Sequence, residues 1–176
     1  MIDFSRNHFE LFGLPERFRF DAERLDEAYR KLQGDVHPDR FAAGSDQEKR
    51  IALQSSARVN EAYRALRDPV LRAQYLLELH GIEAMAETDT RLPLDFLERQ
   101  LERREEADAA VDARDSRALA AISDAVRADA AEIETMLAQA LDEEHAYDAA
   151  LMPVRELKFL SKLEGDLDAM QGELDD

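Results

Sequence analysis

The feature that most constrains the fold of this chain is helical periodicity, which runs through nearly all of it while strand patterns are almost absent. Alternating runs of β-branched residues do not occur, and the good helix formers Ala, Leu, Glu and Arg dominate the sequence. The pattern therefore predicts an all-α protein. With 45% hydrophobic residues among 176, the chain can bury the core of one large domain or two small ones.

The composition excludes several classes of function. The sequence has no Cys, so disulfides, thiolate zinc sites, cysteine-ligated iron–sulfur clusters and a Cys nucleophile are ruled out. No other nucleophile with a nearby base is recognisable, and the His residues form no ligand set. We therefore expect no catalytic residue, no cofactor and no bound metal.

Net charge and hydropathy narrow the range of partners. With 23 basic and 40 acidic residues the net charge is −17, which disfavours nucleic acid as a partner. No apolar run reaches the roughly 18 residues of a membrane span, and the N-terminus has no apolar signal segment. We expect a soluble, cytoplasmic protein that does not bind membranes.

Charge also divides the chain into two unlike halves. There are 13 basic and 14 acidic residues up to Ile82, but 10 basic and 26 acidic residues after it. Between the halves, Gly81 is typical of a helix stop and Pro93 of a helix start. We predict domains at 1–80 and 94–176, joined by a linker at 81–93.

Capping signals divide the first half into helices. Asp21 is a candidate N-cap, and Pro38 ends the apolar stripe that follows it. Residues 37–44 are therefore predicted to form a loop, after which Ser45 and Glu48 match a capping box. Asp68 and Pro69 open a further helix that is apolar nearly all round and is expected to be mostly buried.

In the second half, the periodicity predicts one helix from about Ser116 to Asp142 and a final helix from about Ala146 to Met170. The final helix carries two apolar groups of residues that we interpret as two faces. They are Tyr147, Leu151, Val154 and Leu157 on one side, and Phe159, Leu160, Leu163, Leu167 and Met170 on the other. On this interpretation Phe159 is free to bind a partner or to pack in the core.

The tripeptide His37-Pro38-Asp39 is weak evidence alone, because it also suits a simple helix-stopping turn. Its flanks add specificity: residues 28–32 end one amphipathic helix, and residues 60–69 and 72–75 carry the pattern Asn-Glu-Ala-Tyr-Arg-Ala-Leu-Arg-Asp-Pro followed by Arg-Ala-Gln-Tyr. Together, residues 4–80 resemble the J-domain of the DnaJ-type co-chaperones.

The J-domain resemblance implies a protein that is not itself an enzyme but docks on a DnaK-type chaperone and stimulates its ATP hydrolysis. The chaperone-binding residues would be His37, Pro38, Asp39, Arg30 and Lys31. J-domains usually carry a strongly basic face on the helix before the loop, whereas here acidic residues such as Asp26 and Glu27 are interleaved with the basic ones.

Over almost its full length, the chain is also similar to the HscB family, the J-proteins of iron–sulfur cluster biogenesis. The matching stretches are residues 66–81, 96–106 and 154–163. The resemblance implies a C-terminal three-helix bundle that binds the cluster scaffold protein IscU and hands it to the chaperone HscA. The family's binding site falls on Leu97, Glu98, Leu101, Glu102, Glu105 and Phe159, with Glu98 standing where the family carries an apolar residue.

Helix geometry gives separate support for that site. At 100° per residue, Leu97, Glu98, Leu101, Glu102 and Glu105 lie within about 140° of one another, so apolar and acidic side chains share one face. A purely structural stripe would exclude these acids. The alternative is a helical adaptor, or a J-protein for a different client, without a role in iron–sulfur biogenesis.

Overall fold

The computed structural model describes residues 2–84 and 91–175, and within these ranges every regular element is helical. None of the helices in this part of the chain has the length and apolar content needed to cross a membrane. In chain order they are α1 His8–Phe12, α2 Ala22–Val36, a 3₁₀ turn Pro38–Phe41, α3 Asp46–Arg67, α4 Pro69–Leu79, α5 Leu94–Asp112, α6 Ser116–Ala138, a π-helical turn Gln139–Glu143 and α7 Tyr147–Asp175. The predicted all-α class is confirmed.

The chain divides into two compact units, Met1–Leu76 and Leu77–Asp176, so the division falls within α4. Gly81 ends that helix with a left-handed φ of 76°, and Ile82 N donates to Leu77 O over 2.9 Å. Of the predicted linker at 81–93, residues 85–90 lie outside the described residues.

In the first unit, the helices begin where the capping signals predict. The Asp21 carboxylate accepts from Glu23 N at 3.0 Å and caps α2. Ser45 and Glu48 form the capping box of α3, in which the Glu48 carboxylate accepts from Ser45 N at 2.7 Å. Hydrogen bonding to Ser45 lowers the pKa of Glu48.

A stacked pair of tyrosines links α2 to α3. The rings of Tyr29 and Tyr63 lie 4.0 Å apart, and the Tyr63 hydroxyl donates to the Asp26 carboxylate at 3.0 Å. The apolar core of this unit comes from all four helices and the α1–α2 connection; its fully or almost fully buried members include Phe9, Phe18, Leu25, Val59, Ala62, Leu66 and Ala73. This packing fixes α2 and α3 relative to each other, and so fixes both ends of the turn that joins them.

The expectation that α4 is mostly buried is correct for one face only. Val70, Ala73 and Leu76 are buried, whereas Leu71 and Leu79 are 42% and 36% exposed. The difference arises because neighbouring elements cover only one side of this helix, and an apolar composition all round cannot show which side that is.

The second unit contains the three-helix bundle of α5, α6 and α7. Its core includes Phe96, Leu119, Val126, Leu137, Leu157, Leu160 and Leu167. The helix predicted for 116–142 instead ends at Ala138 and continues as the π-helical turn.

The interpretation of α7 as two apolar faces is wrong. Its buried residues form one stripe, namely Ala150, Val154, Leu157, Leu160, Leu163 and Leu167. Between Val154 and Leu163 the buried residues are spaced three apart, and three residues turn the helix by 300°, which is 60° less than a full turn. The stripe therefore winds around the helix. Phe159 lies outside it and is 37% exposed.

Candidate functional site

The turn after α2 presents His37 and Asp39 to solvent. Pro38 moves His37 out of the helical region, to φ −58° and ψ 127°, and α2 therefore ends at Val36. The imidazole Nδ1 of His37 accepts from Asp39 N at 3.3 Å and lies 3.5 Å from the Asp39 carboxylate. The two side chains are 52% and 90% exposed, so both are available to a partner.

Within the predicted loop 37–44, residues 38–41 form a regular 3₁₀ turn rather than irregular chain. Arg40 ties this turn back to the end of α2. Its Nη1 donates to Gly34 O at 3.0 Å and lies 3.4 Å from the Asp35 carboxylate. Arg40 is not among the predicted site residues, although a cation just beyond a helix C-terminus is suitably placed to bind the free carbonyls there.

Arg30 and Lys31 are exposed on α2, one to two turns before His37. Arg30 Nε donates to Asp26 O at 3.2 Å. The Asp26 carboxylate is engaged by the Tyr63 hydroxyl and by Arg67 Nε at 3.7 Å. One of the interleaved acids is thus partly neutralised within the unit, which leaves more of the basic character of α2 available to a partner.

In the second unit, the three apolar residues of the predicted scaffold site come together. Leu97 and Leu101 on α5 and Phe159 on α7 line one groove with a volume of about 430 Å³. They are 38%, 61% and 37% exposed, respectively. An exposed apolar groove on a chain this rich in charge is typical of a binding surface.

The three predicted acidic residues flank the groove rather than line it. Glu98, Glu102 and Glu105 are exposed, and their helical positions place them along one side of the Leu97–Leu101 row. They add negative potential beside the apolar surface, which suits a partner with a basic surface.

Four polar residues that line the groove are not among the predicted site residues. These are Gln100 and Arg104 on α5 and Lys162 and Asp166 on α7. Spacing gives a signal for two of them, because Arg104 lies three residues after Leu101 and Lys162 three after Phe159. Gln100 is 2% exposed; its position four residues after Phe96 and seven before Ala107 places it on the buried side of α5, although an amide side chain gives no sign of burial.

Among residues 2–84 and 91–175, no group of three or more His, Asp or Glu side chains is arranged to hold a metal ion. The geometry of both candidate sites instead suits contact with other proteins.

Comparisons with known proteins agree with this interpretation. Residues 7–75 match the family model of the DnaJ domain, and residues 92–168 match that of the HSCB C-terminal oligomerisation domain. The co-chaperone protein HscB homolog of Azoarcus sp. is 44% identical over 167 residues, covering 95% of this chain and 94% of that protein. The homolog of Bordetella petrii is 48% identical over 164 residues, covering 93% and 95%.

The chain belongs to the HscB family of co-chaperones. Solved HscB structures share the fold: chaperone HscB from Vibrio cholerae superposes with a TM-score of 0.86 at 36% identity, covering 96% of this chain and 99% of that one. Human co-chaperone protein HscB gives a TM-score of 0.86 at 32% identity, covering 95% and 83%. The predicted resemblances to the J-domain and to HscB are therefore confirmed.

Proposed function

We propose that this HscB-family protein is a co-chaperone of iron–sulfur cluster assembly. It binds an IscU-type scaffold protein, delivers it to a DnaK/HscA-type chaperone and stimulates that chaperone's ATP hydrolysis, without being an enzyme itself. The observation that carries the proposal is that one chain holds two exposed constellations in separate compact units, the His37-Pro38-Asp39 turn and the apolar groove. We also propose that the protein is cytoplasmic, because its sequence has no apolar run long enough to span a membrane and no apolar signal segment.

The chemistry of the turn supports its role in chaperone binding. The Asp39 carboxylate is 90% exposed and can accept charge-assisted hydrogen bonds from an arginine of the chaperone. Pro38 and the Arg40 contact fix the turn, which lowers the entropy lost on docking. Arg30 and Lys31 extend the surface along α2. Binding that favours one conformation of the chaperone shifts its conformational equilibrium.

The groove in the second unit supports scaffold binding. Leu97, Leu101 and Phe159 together form the apolar surface that a client side chain would cover. Apolar anchors of this kind carry most of the binding energy in protein interfaces. Glu98, Glu102 and Glu105 act mainly on the rate of association and on its dependence on salt.

Steady-state ATPase assays test the proposal directly. We expect the purified DnaK/HscA-type chaperone to hydrolyse ATP faster when this protein is added, and faster again when the IscU-type scaffold is also present. Stimulation without scaffold binding would identify a J-protein for a different client. No stimulation and no binding would leave only a helical adaptor.

A further inference from the structure

In the groove that contains Leu97, Leu101 and Phe159, side-chain acceptors are already hydrogen-bonded, whereas two side-chain donors are not. Two of its acceptors are already engaged: the Asp166 carboxylate accepts from Arg104 Nη1 at 2.9 Å, and Gln100 Oε1 accepts from Arg103 Nη1 at 3.1 Å. The charge of Arg104 is thereby neutralised inside the groove.

Two residues that line the groove carry side-chain donors that have no partner among the described residues. Gln100 Nε2 is buried without a hydrogen bond, in a side chain that is only 2% exposed. Lys162 is exposed and makes no ion pair within the described ranges. A buried donor without an acceptor is rare and costly in a folded protein, so its retention calls for an explanation.

The orientation of the Gln100 amide is set by its surroundings. Arg103 donates to Oε1 and is itself held by the Asp129 carboxylate at 2.9 Å. Because arginine has no acceptor, exchanging the amide's oxygen and nitrogen would place two donors against each other. The free atom of the amide is therefore a donor.

We propose that the groove recognises an apolar segment of the scaffold protein that carries an acidic residue. The carboxylate pairs with Lys162, and a carbonyl or carboxylate oxygen of the same segment accepts from Gln100 Nε2. Since this donor is covered in the free protein, entry of the segment displaces a lining side chain. The inference rests on the proposed function, because it takes the scaffold as the occupant.

Removal of the Lys162 charge should change the affinity for the scaffold in opposite directions, depending on whether Lys162 pairs with a carboxylate or acts only through the net charge of the protein. The acidic flank of Glu98, Glu102 and Glu105 attracts a basic surface, so by net charge alone the removal of a cation should leave binding unchanged or strengthen it. If a scaffold carboxylate pairs with Lys162, removal of this cation should instead weaken binding. Titration calorimetry of Lys162→Gln and Lys162→Glu with apo IscU-type scaffold measures which occurs.

We expect Lys162→Gln to weaken binding by at least about threefold and Lys162→Glu by more. Arg117→Gln is the matched control, because Arg117 is an exposed cation at the start of α6 that does not line the groove. It should bind as tightly as wild type or slightly more tightly. Unchanged or tighter binding by both Lys162 variants would overturn the inference.

Gln100→Met tests the second donor. The substitution keeps the side-chain length, removes the unpaired donor and leaves Arg103 its Asp129 partner. We expect an unchanged or higher melting temperature together with scaffold binding that is weaker by about threefold or more. A lower melting temperature with unchanged affinity would show that Gln100 has only a structural role and would overturn its part in recognition.

The same titrations separate the inference from the function on which it rests. Absence of scaffold binding by wild type contradicts the proposed function itself. Tight binding by wild type that the Lys162 and Gln100 variants retain contradicts only the donor recognition.

Discussion

The ring of Phe159 packs edge-on against that of Phe96, with the ring centroids 5.7 Å apart and the planes at 82°. Phe96 is 6% exposed and Phe159 is 37% exposed. The buried ring of Phe96 therefore contacts one side of the Phe159 ring, which lines the groove. Edge-to-face pairs of this kind add stability beyond the area they bury. Phe159 is thereby positioned before a partner arrives, which lowers the entropy lost when the groove is filled.

The first prediction concerns the apolar anchors. Leu101→Ala and Phe159→Ala should each weaken scaffold binding by about 2 kcal/mol or more, as truncation of central anchors does. Leu101→Ala should change stability little, because this side chain is 61% exposed. Phe159→Ala should cost about 1 kcal/mol of stability through the lost contact with Phe96.

Thermal melts and calorimetric titrations of the same variants check this prediction. Leu160→Ala is the matched control on α7, since Leu160 is fully buried and its truncation should cost about 2–5 kcal/mol of stability. A Leu101 variant that melts as low as the Leu160 variant would show that the groove belongs to the core.

The second prediction concerns the turn. His37→Gln and Asp39→Asn should abolish stimulation of the chaperone's ATPase while changing stability by no more than about 0.5 kcal/mol, because both side chains are solvent-exposed. ATPase rates and melting curves are the measurements. Full stimulation by both variants would contradict a chaperone-docking role, and a large fall in melting temperature would identify a structural turn.

The third prediction concerns Arg40, which connects the turn to Gly34 O. Arg40→Ala should reduce stimulation, but less than Asp39→Asn does, because it loosens the turn without removing the groups that contact the partner. At saturating concentrations of Arg40→Ala the stimulation should reach that of wild type, because a loosened turn weakens docking but keeps the groups that contact the partner. A lower maximum stimulation at saturation would contradict a role confined to fixing the turn.

Local signals made much of the fold predictable. Asp21, Ser45 and Glu48 act within one helical turn, so the starts of α2 and α3 could be read from neighbouring residues. Pro38 disfavours the helical backbone conformation of the preceding residue, His37, so the end of α2 could be predicted as well. The apolar residues Leu97 and Leu101 could be identified because one helix turn places them on the same face.

Features that depend on tertiary packing could not be predicted. The hydrogen bond from Arg103 to the Gln100 amide oxygen is one of them, because Arg103 also pairs with Asp129 on α6, a contact between helices that no local pattern encodes. The sequence of α7 suggests two faces where the structure has one winding stripe, because periodicity alone does not show which neighbour covers each position. For the same reason, the sequence does not show that Leu71 on α4 is exposed.

The fourth prediction concerns the acidic flank. Neutralising Glu102 and Glu105 together by Gln should slow association with the scaffold and leave dissociation nearly unchanged, because exposed charges act mainly by steering. Raising salt from low concentration should slow association of wild type more than that of the double variant. Stopped-flow association rates at several ionic strengths measure both effects, and equal salt dependence in the two proteins would contradict the steering role.

The fifth prediction concerns His8, which is buried in the first unit and stacks on Tyr75 with ring centroids 4.0 Å apart. Burial, with a smaller contribution from Arg58, lowers the pKa of His8 from 6.5 to about 4. The folded state therefore favours the neutral imidazole, and the unfolded chain takes up the proton first as the pH falls. This contribution to stability is complete above about pH 6.5 and is lost as the pH falls from there to about 4, by up to about 3 kcal/mol.

His8→Phe should keep the stacking on Tyr75 and remove both the titration and the unpaired Nδ1 atom. Many carboxylates also titrate near pH 4, so the difference between the two proteins is the informative quantity. Free energies of unfolding in urea at pH 7.5, 5.5 and 4.5 should show wild type losing stability faster than the variant as the pH falls. Parallel pH profiles would mean that His8 is protonated in the folded protein as readily as in the unfolded chain.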